Sequence, residues 1–497
     1  MTDTDFRKRT IESVKWSYAG VIVPKLITPL IYIVLAKFLA PKDFGLIAIA
    51  SLVISLIEMT RDAGISRAVI QSSAGEREIF NISFIMNVVL GVIFFVIVYV
   101  TAPLIARFFE SPAAESILRV MGIQIILSSF SLSYQSIIQK RIDFRKLFFV
   151  TVVPGLSLVL ITLPMAYFEY GAWAIVFGNL GGSLSRALSL FIALPWMPRL
   201  EFDYQTLRRM VWFGLFCYLE ALLGWIYIWG DKAIVGKFVT ASALGVYSFA
   251  YTATSSLIGL FISPVAQIMF PYLCKESQRG DITPYLYRML SFFSVISLLI
   301  GLMLYHLASA LPVFLGEQWS DLVFPFGLLG ISGSLSAVFT YIIPDGIKAI
   351  GRADTLFRFQ LYKLLYTLPL YVAGAYLGGV DGFCIARLIT VVIGSLLFCW
   401  LAVRHLRATY AFLWRSLRAP FIGFFCSFFI LMVMKQVLAG YHEIAIAGLV
   451  VTVGFLSYLL VLKVLDRTLI AELWSYIVAA FHLRIDIGRL VSLRNQE

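Results

Sequence analysis

The chain is poor in charge: only 14% of its 497 residues are Asp, Glu, Lys or Arg, where a soluble domain carries about 25%. It has four histidines and five cysteines (Cys217, Cys274, Cys384, Cys399, Cys426), with no CxxC pair and no Cys/His/Asp cluster at ligand spacing. That excludes a disulfide scaffold and a zinc site, and no cofactor is implied. A G-x-x-x-x-G-K-[ST] loop is also missing, which argues against direct ATP hydrolysis. Nor is there a polar stretch long enough for an inserted soluble domain.

What fills the chain instead is apolar. Hydrophobic residues make up 60% of it and the mean hydropathy is +0.89. Runs long enough to span a bilayer are expected at 16–39, 45–66, 82–105, 116–138, 147–169, 172–194, 211–230, 244–263, 285–311, 322–344, 357–378, 381–403, 419–439 and 443–464. The fold class expected is an all-α integral membrane protein with fourteen transmembrane helices. Arg7-Lys8-Arg9 before the first run resembles a signal peptide, but the run is span-length with no small-residue cleavage site, so a retained first helix is expected.

The net charge of +12 does not require a nucleic-acid partner, because short cytoplasmic loops supply the same excess. Of the 40 Lys and Arg residues, 29 fall in gaps on the side of the N-terminus and only 7 (Lys37, Lys42, Arg107, Arg119, Lys232, Lys237, Lys435) in gaps on the other. Four, Lys25, Arg186, Lys363 and Arg387, fall within spans. This split puts both termini in the cytoplasm of a multi-pass inner-membrane protein.

The chain also repeats. Residues 35–50 (LAKFLAPKDFGLIAIA) align with 235–250 (VGKFVTASALGVYSFA) without a gap, and Arg141, Asp143 and Phe148 are echoed by Arg352, Asp354 and Phe359. Two parallel six-helix bundles follow, 1–194 and 211–404, joined by a cytoplasmic linker at 195–210. Two further helices occupy 405–465, and 466–497, with Trp474, Tyr476, Arg484 and Arg489, reads as an interfacial amphipathic tail. Transporters built from repeats put the substrate between them.

LAKFLAPKDFGL (35–46), GISRAVIQ (64–71), DKAIVGKF (231–238), ALGVYSFAY (243–251), MFPYL (269–273), FLGEQW (314–319) and GIKAIGRADTLFRF (346–359) together resemble the polysaccharide-repeat flippases of the MOP superfamily, similar to colanic-acid and succinoglycan exporters. The resemblance runs from Lys15 to about residue 465. It implies two pseudo-symmetric bundles in a V around a central cavity and a polyprenyl-diphosphate-linked oligosaccharide as substrate, undecaprenyl-diphosphate being the carrier. Membrane lipids and the polysaccharide polymerase machinery are the implied partners, with a monomer as the working state. It carries over no cavity residue.

Ionisable side chains within spans are costly and read as functional by default. Lys25, Arg186, Lys363 and Arg387 are the candidate cavity cations for a diphosphate, Arg offering a planar fork and Lys a point charge. Lys363 and Arg387 lie near enough to span ends to snorkel instead. Glu220 is the candidate for ion or proton coupling, and Lys25 sits between Pro24 and Pro29, a kink and a candidate moving element. Glu58, Arg61 and Asp62 form either a membrane-edge ion cluster or a gate latch. Arg141/Asp143 and Arg352/Asp354 are candidate gate pairs across the two halves. Gly45 and Gly245 are expected to open their helices after a tight turn.

Two rival functions remain. A multidrug or ion antiporter of the same superfamily would concentrate acids in the cavity and stop at twelve spans. A membrane polymerase or glycosyltransferase needs catalytic carboxylates or a histidine in sizeable outward loops. Here the outward gaps after the fifth and eleventh spans offer only Glu169 and Asp381, and the longest outward candidate, around 316–319, carries only Glu317 and Asp321.

Overall fold

The structure, a computed structural model, describes residues 30–471 except 63, 72–74, 142, 200–203, 279, 281, 407, 439–440 and 442. Between 204 and 220 it describes the backbone, with the side chain of Tyr218 alone. Every element among the described residues is a helix. The long ones are α1 (Pro41–Asp62), α2 (Glu76–Phe108), α3 (Ala113–Met121), α4 (Ile123–Lys140), α5 (Phe144–Tyr167), α6 (Ala172–Ala193) and α7 (Tyr204–Phe238). They continue with α8 (Ala241–Ser277), α9 (Thr283–Leu307), α10 (Val323–Thr340), α11 (Ala353–His405), α12 (Tyr410–Val437) and α13 (Glu443–Leu465).

Among the described residues, 11 helices are long and apolar enough to cross a membrane, against the fourteen expected. Part of the difference lies in α11. Its 53 residues would stretch about 80 Å at 1.5 Å per residue, far beyond a hydrocarbon core of about 30 Å. Non-helical dihedrals at Gly378 and Gly379 break it into two passes. The first expected span lies mostly outside the described residues.

The solvent of these helices is legible in their faces. On α2, Val89, Val92, Ile93, Val96, Ile97, Val100 and Leu104 are exposed, whereas Asn81, Ser83 and Asn87 are buried. A helix that turns Val and Ile outward and Asn and Ser inward is packed for lipid. The inward polar groups find each other: Ser83 donates to Ser133 Oγ at 3.0 Å and Asn87 Nδ2 donates to the same oxygen at 3.3 Å.

The repeat is written in the backbone. Helix 30–38 breaks at 39–40 before α1, and α7 breaks at 239–240 before α8. Leu39 N donates to Leu35 O at 2.9 Å, and Val239 N donates to Val235 O at 3.0 Å. The turns after α5 and within α11 match as well: Gly171 has φ 56°, ψ −138°, and Gly379 has φ 58°, ψ −137°, a conformation open in practice only to glycine. Gly45 and Gly245 do not open their helices, as the sequence suggested. Each is the fifth residue of its helix, where two backbones cross.

The chain divides into two compact units, residues 1–260 with 311–329 and 363–387, and residues 261–310 with 330–362 and 388–497. In the first unit, Ile79, Phe80, Ile82, Tyr134, Ile137, Ile138, Leu190 and Leu194 form a core, and Tyr134 Oη closes it by donating to Trp196 O at 2.8 Å. In the second unit, α12 and the turn before it are fastened to α9 and the turn after it. Thr283 Oγ1 donates to Leu406 O at 3.0 Å and Ser291 Oγ to Ser416 O at 3.1 Å, while Lys435 Nζ reaches Ser309 Oγ at 2.7 Å and the carbonyl of His306.

Candidate functional site

Four of the family-like motifs, LAKFLAPKDFGL, DKAIVGKF, ALGVYSFAY and FLGEQW, lie together in the first unit. Trp319, at the close of FLGEQW, is fully buried and donates its indole N–H to Ala36 O at 2.9 Å. Its ring meets Phe44 and Phe249, with centroids 5.4 and 4.7 Å apart. Thus one segment from each copy of the repeat is packed on the same tryptophan. Beside it, Asp43 caps its own turn by accepting from Ala40 N and reaches Ala172 N at 3.0 Å, tying α1 to the start of α6.

Below that block lies a cluster of charges. Helix α7 runs on to Phe238, so Asp231 and Lys232, which span prediction leaves in an outward loop, sit inside a helix about 10 Å from its end. Tyr247 stands on α8 as far after the break at Val239 as Asp231 stands before it, which brings the two together. The Tyr247 hydroxyl donates to Asp231 Oδ2 at 2.6 Å. Arg387, in the second half of α11, donates from Nη1 to the same oxygen at 3.0 Å, and Asp231 Oδ1 accepts from the backbone N of Lys232 at 2.6 Å. The Arg387 guanidinium lies over the Tyr251 ring at 4.8 Å, and Lys232 Nζ lies 4.4 Å from the Trp229 centroid and 5.7 Å from that of Tyr251. Lys363, also buried, is within electrostatic reach of Arg387 and Tyr371.

Asp231 is 4% exposed and Tyr247 fully buried, while a fifth of the Arg387 side chain stays accessible. Burying a carboxylate is costly unless it is paired and hydrogen-bonded, and this one has a guanidinium, a hydroxyl and a backbone N–H on its oxygens. The arrangement offers cations on aromatic faces, where the ring quadrupole stabilises positive charge without neutralising it.

The other sequence candidates are placed as follows. Arg186 donates from Nη2 to Gln135 Oε1 at 2.7 Å and lies within electrostatic reach of Glu58. Arg61 is 1% exposed, and its Nη1 donates to Ser128 Oγ at 2.8 Å, Ser129 Oγ at 2.7 Å and the Ile125 carbonyl. Asp62 accepts from Ser66 N and Oγ. Arg61 thus ties α1 to α4, with Glu58 and Asp62 within electrostatic reach of it. Arg141 pairs with Glu76 at 2.6 Å and lies 4.7 Å from the Trp196 ring centroid, and Asp143 caps α5 by accepting from Lys146 N. Arg352 is hydrogen-bonded to His405 Nδ1 at 2.9 Å, and Asp354 is exposed. The partners found for Arg141 and Arg352 thus lie within their own halves, not across them. Lys25 and the side chain of Glu220 lie outside the described residues.

Asp231, Lys232, Tyr247 and Trp319 were missed as site residues by sequence reasoning. The available signal was their place in DKAIVGKF, ALGVYSFAY and FLGEQW, which read as helix-end signatures. Among the described residues no group of His, Cys, Asp and Glu has a metal-binding arrangement.

The family described as "polysaccharide biosynthesis protein" matches residues 34–324. The lipopolysaccharide biosynthesis protein WzxC of Escherichia coli (strain K12) is 22% identical over 406 residues, 80% of this chain and 82% of that protein. Among solved structures, the lipid II flippase MurJ in an inward closed conformation superposes with a TM-score of 0.71 at 14% identity, covering 92% of this chain and 100% of that one. An inward-facing multidrug resistance transporter of the MATE family, in the MOP superfamily, superposes at 0.58 with 14% identity, over 78% of this chain and 98% of that one. At such identities the likeness is one of fold.

Proposed function

The chain belongs to the polysaccharide biosynthesis protein family, and from that membership we propose that it is a flippase, not an enzyme, for lipid-linked oligosaccharides. It carries undecaprenyl-diphosphate-linked repeat units from the cytoplasmic to the periplasmic leaflet of the bacterial inner membrane, for exopolysaccharide or lipopolysaccharide synthesis. Fourteen spans with both termini cytoplasmic, two six-helix bundles and alternating access between them complete the reading.

The observation that supports it best is the excess of positive charge at membrane depth. Lys232, Lys363 and Arg387 lie within electrostatic reach of one another along a chain of contacts that holds the single carboxylate of Asp231. A diphosphate crossing a low-dielectric region needs such compensation, and cations at fixed positions supply it at lower cost than mobile ions. In this reading Arg186 and Lys25 extend the cationic path, Glu220 is the coupling residue, and Glu58 and Asp62 shape the cytoplasmic entrance. The inside-negative potential favours outward movement of the anion by about 2.3 kcal/mol per charge per 100 mV.

A multidrug antiporter is the second reading, and the shared fold at TM-score 0.58 favours it. It requires a site for organic cations, and an excess of Lys and Arg repels them.

The test is reconstitution in vesicles with a fluorescent polyprenyl-diphosphate oligosaccharide in one arm and a cationic dye in the other. The flippase reading expects movement of the lipid-linked sugar only, and its loss in Arg186→Glu and Lys25→Glu proteins that still insert. Full activity in both variants removes the cationic mechanism. Movement of the dye alone removes the flippase.

A further inference from the structure

The Asp231–Arg387 pair exists in one half of the repeat only. With the offset of 200 residues, Asp231 and Tyr247 correspond to Ile31 and Ile47. In the register that matches Gly171 with Gly379, Arg387 corresponds to Asn179. The first half therefore builds the same corner, break for break, with two isoleucines and an asparagine, all uncharged, where the second half has Asp231, Tyr247 and Arg387. Buried ion pairs can often be replaced by uncharged groups of similar volume, and here the molecule itself contains an uncharged counterpart. The pair is not needed to fold this corner.

What the pair does is occupy a cation. Asp231 Oδ2 sits 3.0 Å from Arg387 Nη1 with the Tyr247 hydroxyl on the same oxygen. Its neighbours Lys232 and Arg387 flank the Tyr251 ring, and a fifth of the Arg387 side chain is open to an incoming group. A diphosphate oxygen would bind Arg387 in the way this carboxylate already does.

We propose that Asp231 is a positioning residue: it serves as the resident counter-anion that the substrate's diphosphate displaces from Arg387, so that loading and release are exchanges of one anion for another. The inference rests on the lipid-linked diphosphate reading. In the empty protein, Asp231 keeps Arg387 neutralised and its guanidinium aimed, so that no bare cation faces the apolar interior. In the loaded protein, Tyr247 keeps its hydrogen bond to the displaced carboxylate. At release Asp231 reclaims Arg387, which holds affinity low enough for turnover. Conduction through any binding site needs this balance between entering and leaving.

The experiment measures binding of a fluorescent polyprenyl diphosphate to the full chain in lipid nanodiscs, alongside flipping in vesicles. Asp231→Asn keeps an acceptor for Tyr247 and removes the competing charge; it should bind about tenfold tighter and flip more slowly. Asp231→Glu should match the parent in both assays, and Asp231→Asn combined with Arg387→Gln should lose the gain in affinity. A purely structural role predicts weaker binding in Asp231→Asn, because it loosens the cluster. Tyr247→Phe provides an independent arm: with one donor fewer, Asp231 holds Arg387 harder, so binding should weaken several-fold. If the parent binds the probe and Asp231→Asn binds it equally or less tightly, the exchange is overturned while the flippase reading stands. If Asp231→Asn fails to fold, unchanged affinity in Tyr247→Phe overturns it instead. A parent protein indifferent to polyprenyl diphosphate overturns both.

Discussion

Gly45 and Gly245 make the same contact twice with the two halves exchanged. A Cβ on Gly45 would overlap the carbonyl group of Ala241, and one on Gly245 would overlap that of Pro41 and come 2.8 Å from the backbone N of Gly45. Gly245 follows Gly45, and Ala241 follows Pro41, by the same 200 residues, so the crossing of α1 and α8 is a local two-fold between the repeats. The absence of side chains lets two backbones touch, as small residues do where membrane helices pack closely.

The crossing makes a prediction. Gly45→Val or Gly245→Val should cost about 1–3 kcal/mol by overpacking and lower export far more than it lowers membrane insertion. Because the contact is reciprocal, the double variant should cost less than the two single effects added together. Thermal unfolding in detergent and polysaccharide export in cells measure the two effects separately.

Trp319 is the second test. Trp319→Ala removes a fully buried indole from between Phe44 and Phe249 and should cost about 3–5 kcal/mol. Trp319→Phe keeps most of the packing and loses only the hydrogen bond to Ala36 O, a cost of about 1 kcal/mol. Equal melting temperatures for the two variants would show that the ring does not hold this block together.

Arg61 ties α1 to α4. Arg61→Ala should lower stability by about 2 kcal/mol, the scale of hydrogen bonds to a charged donor, through loss of its bonds to Ile125, Ser128 and Ser129. The same change at Arg141, whose pair with Glu76 is partly exposed, should cost under about 1 kcal/mol. Melting curves of the two variants side by side decide the ranking.

Topology is checked by labelling. Single cysteines replacing Arg141 and Arg352 in a chain freed of its native cysteines should react with a membrane-impermeant maleimide only after the cells are opened. A cysteine at Glu317 should react in intact cells. Reaction of the first two from outside would invert the membrane orientation and the direction of transport with it.

Much of this was open to a reader of the sequence. The match of residues 35–50 with 235–250 followed from one gapless alignment, and the membrane class followed from hydropathy. Hydropathy also misled. It ended the seventh span at 230, because Asp231 and Lys232 depress any average taken over them, and so a buried aspartate was assigned to a loop. Likewise the i,i+3 and i,i+4 spacing of Glu58, Arg61 and Asp62 suggested a membrane-edge ion cluster or a gate latch. Sequence spacing records which charges share a helix, and it is silent on Ser128 and Ser129 of another helix.

By itself, then, the sequence determined the solvent, the helical class, the repeat and the family. Lipid offers no partner to a peptide group, so any apolar run of sufficient length must satisfy its backbone within a helix. Only the tertiary structure decided which charges meet. Asp231 and Arg387 are separated by 156 positions and lie 3.0 Å apart. Their attraction depends on ångström distances set by the crossing of helices, which no one-dimensional pattern encodes.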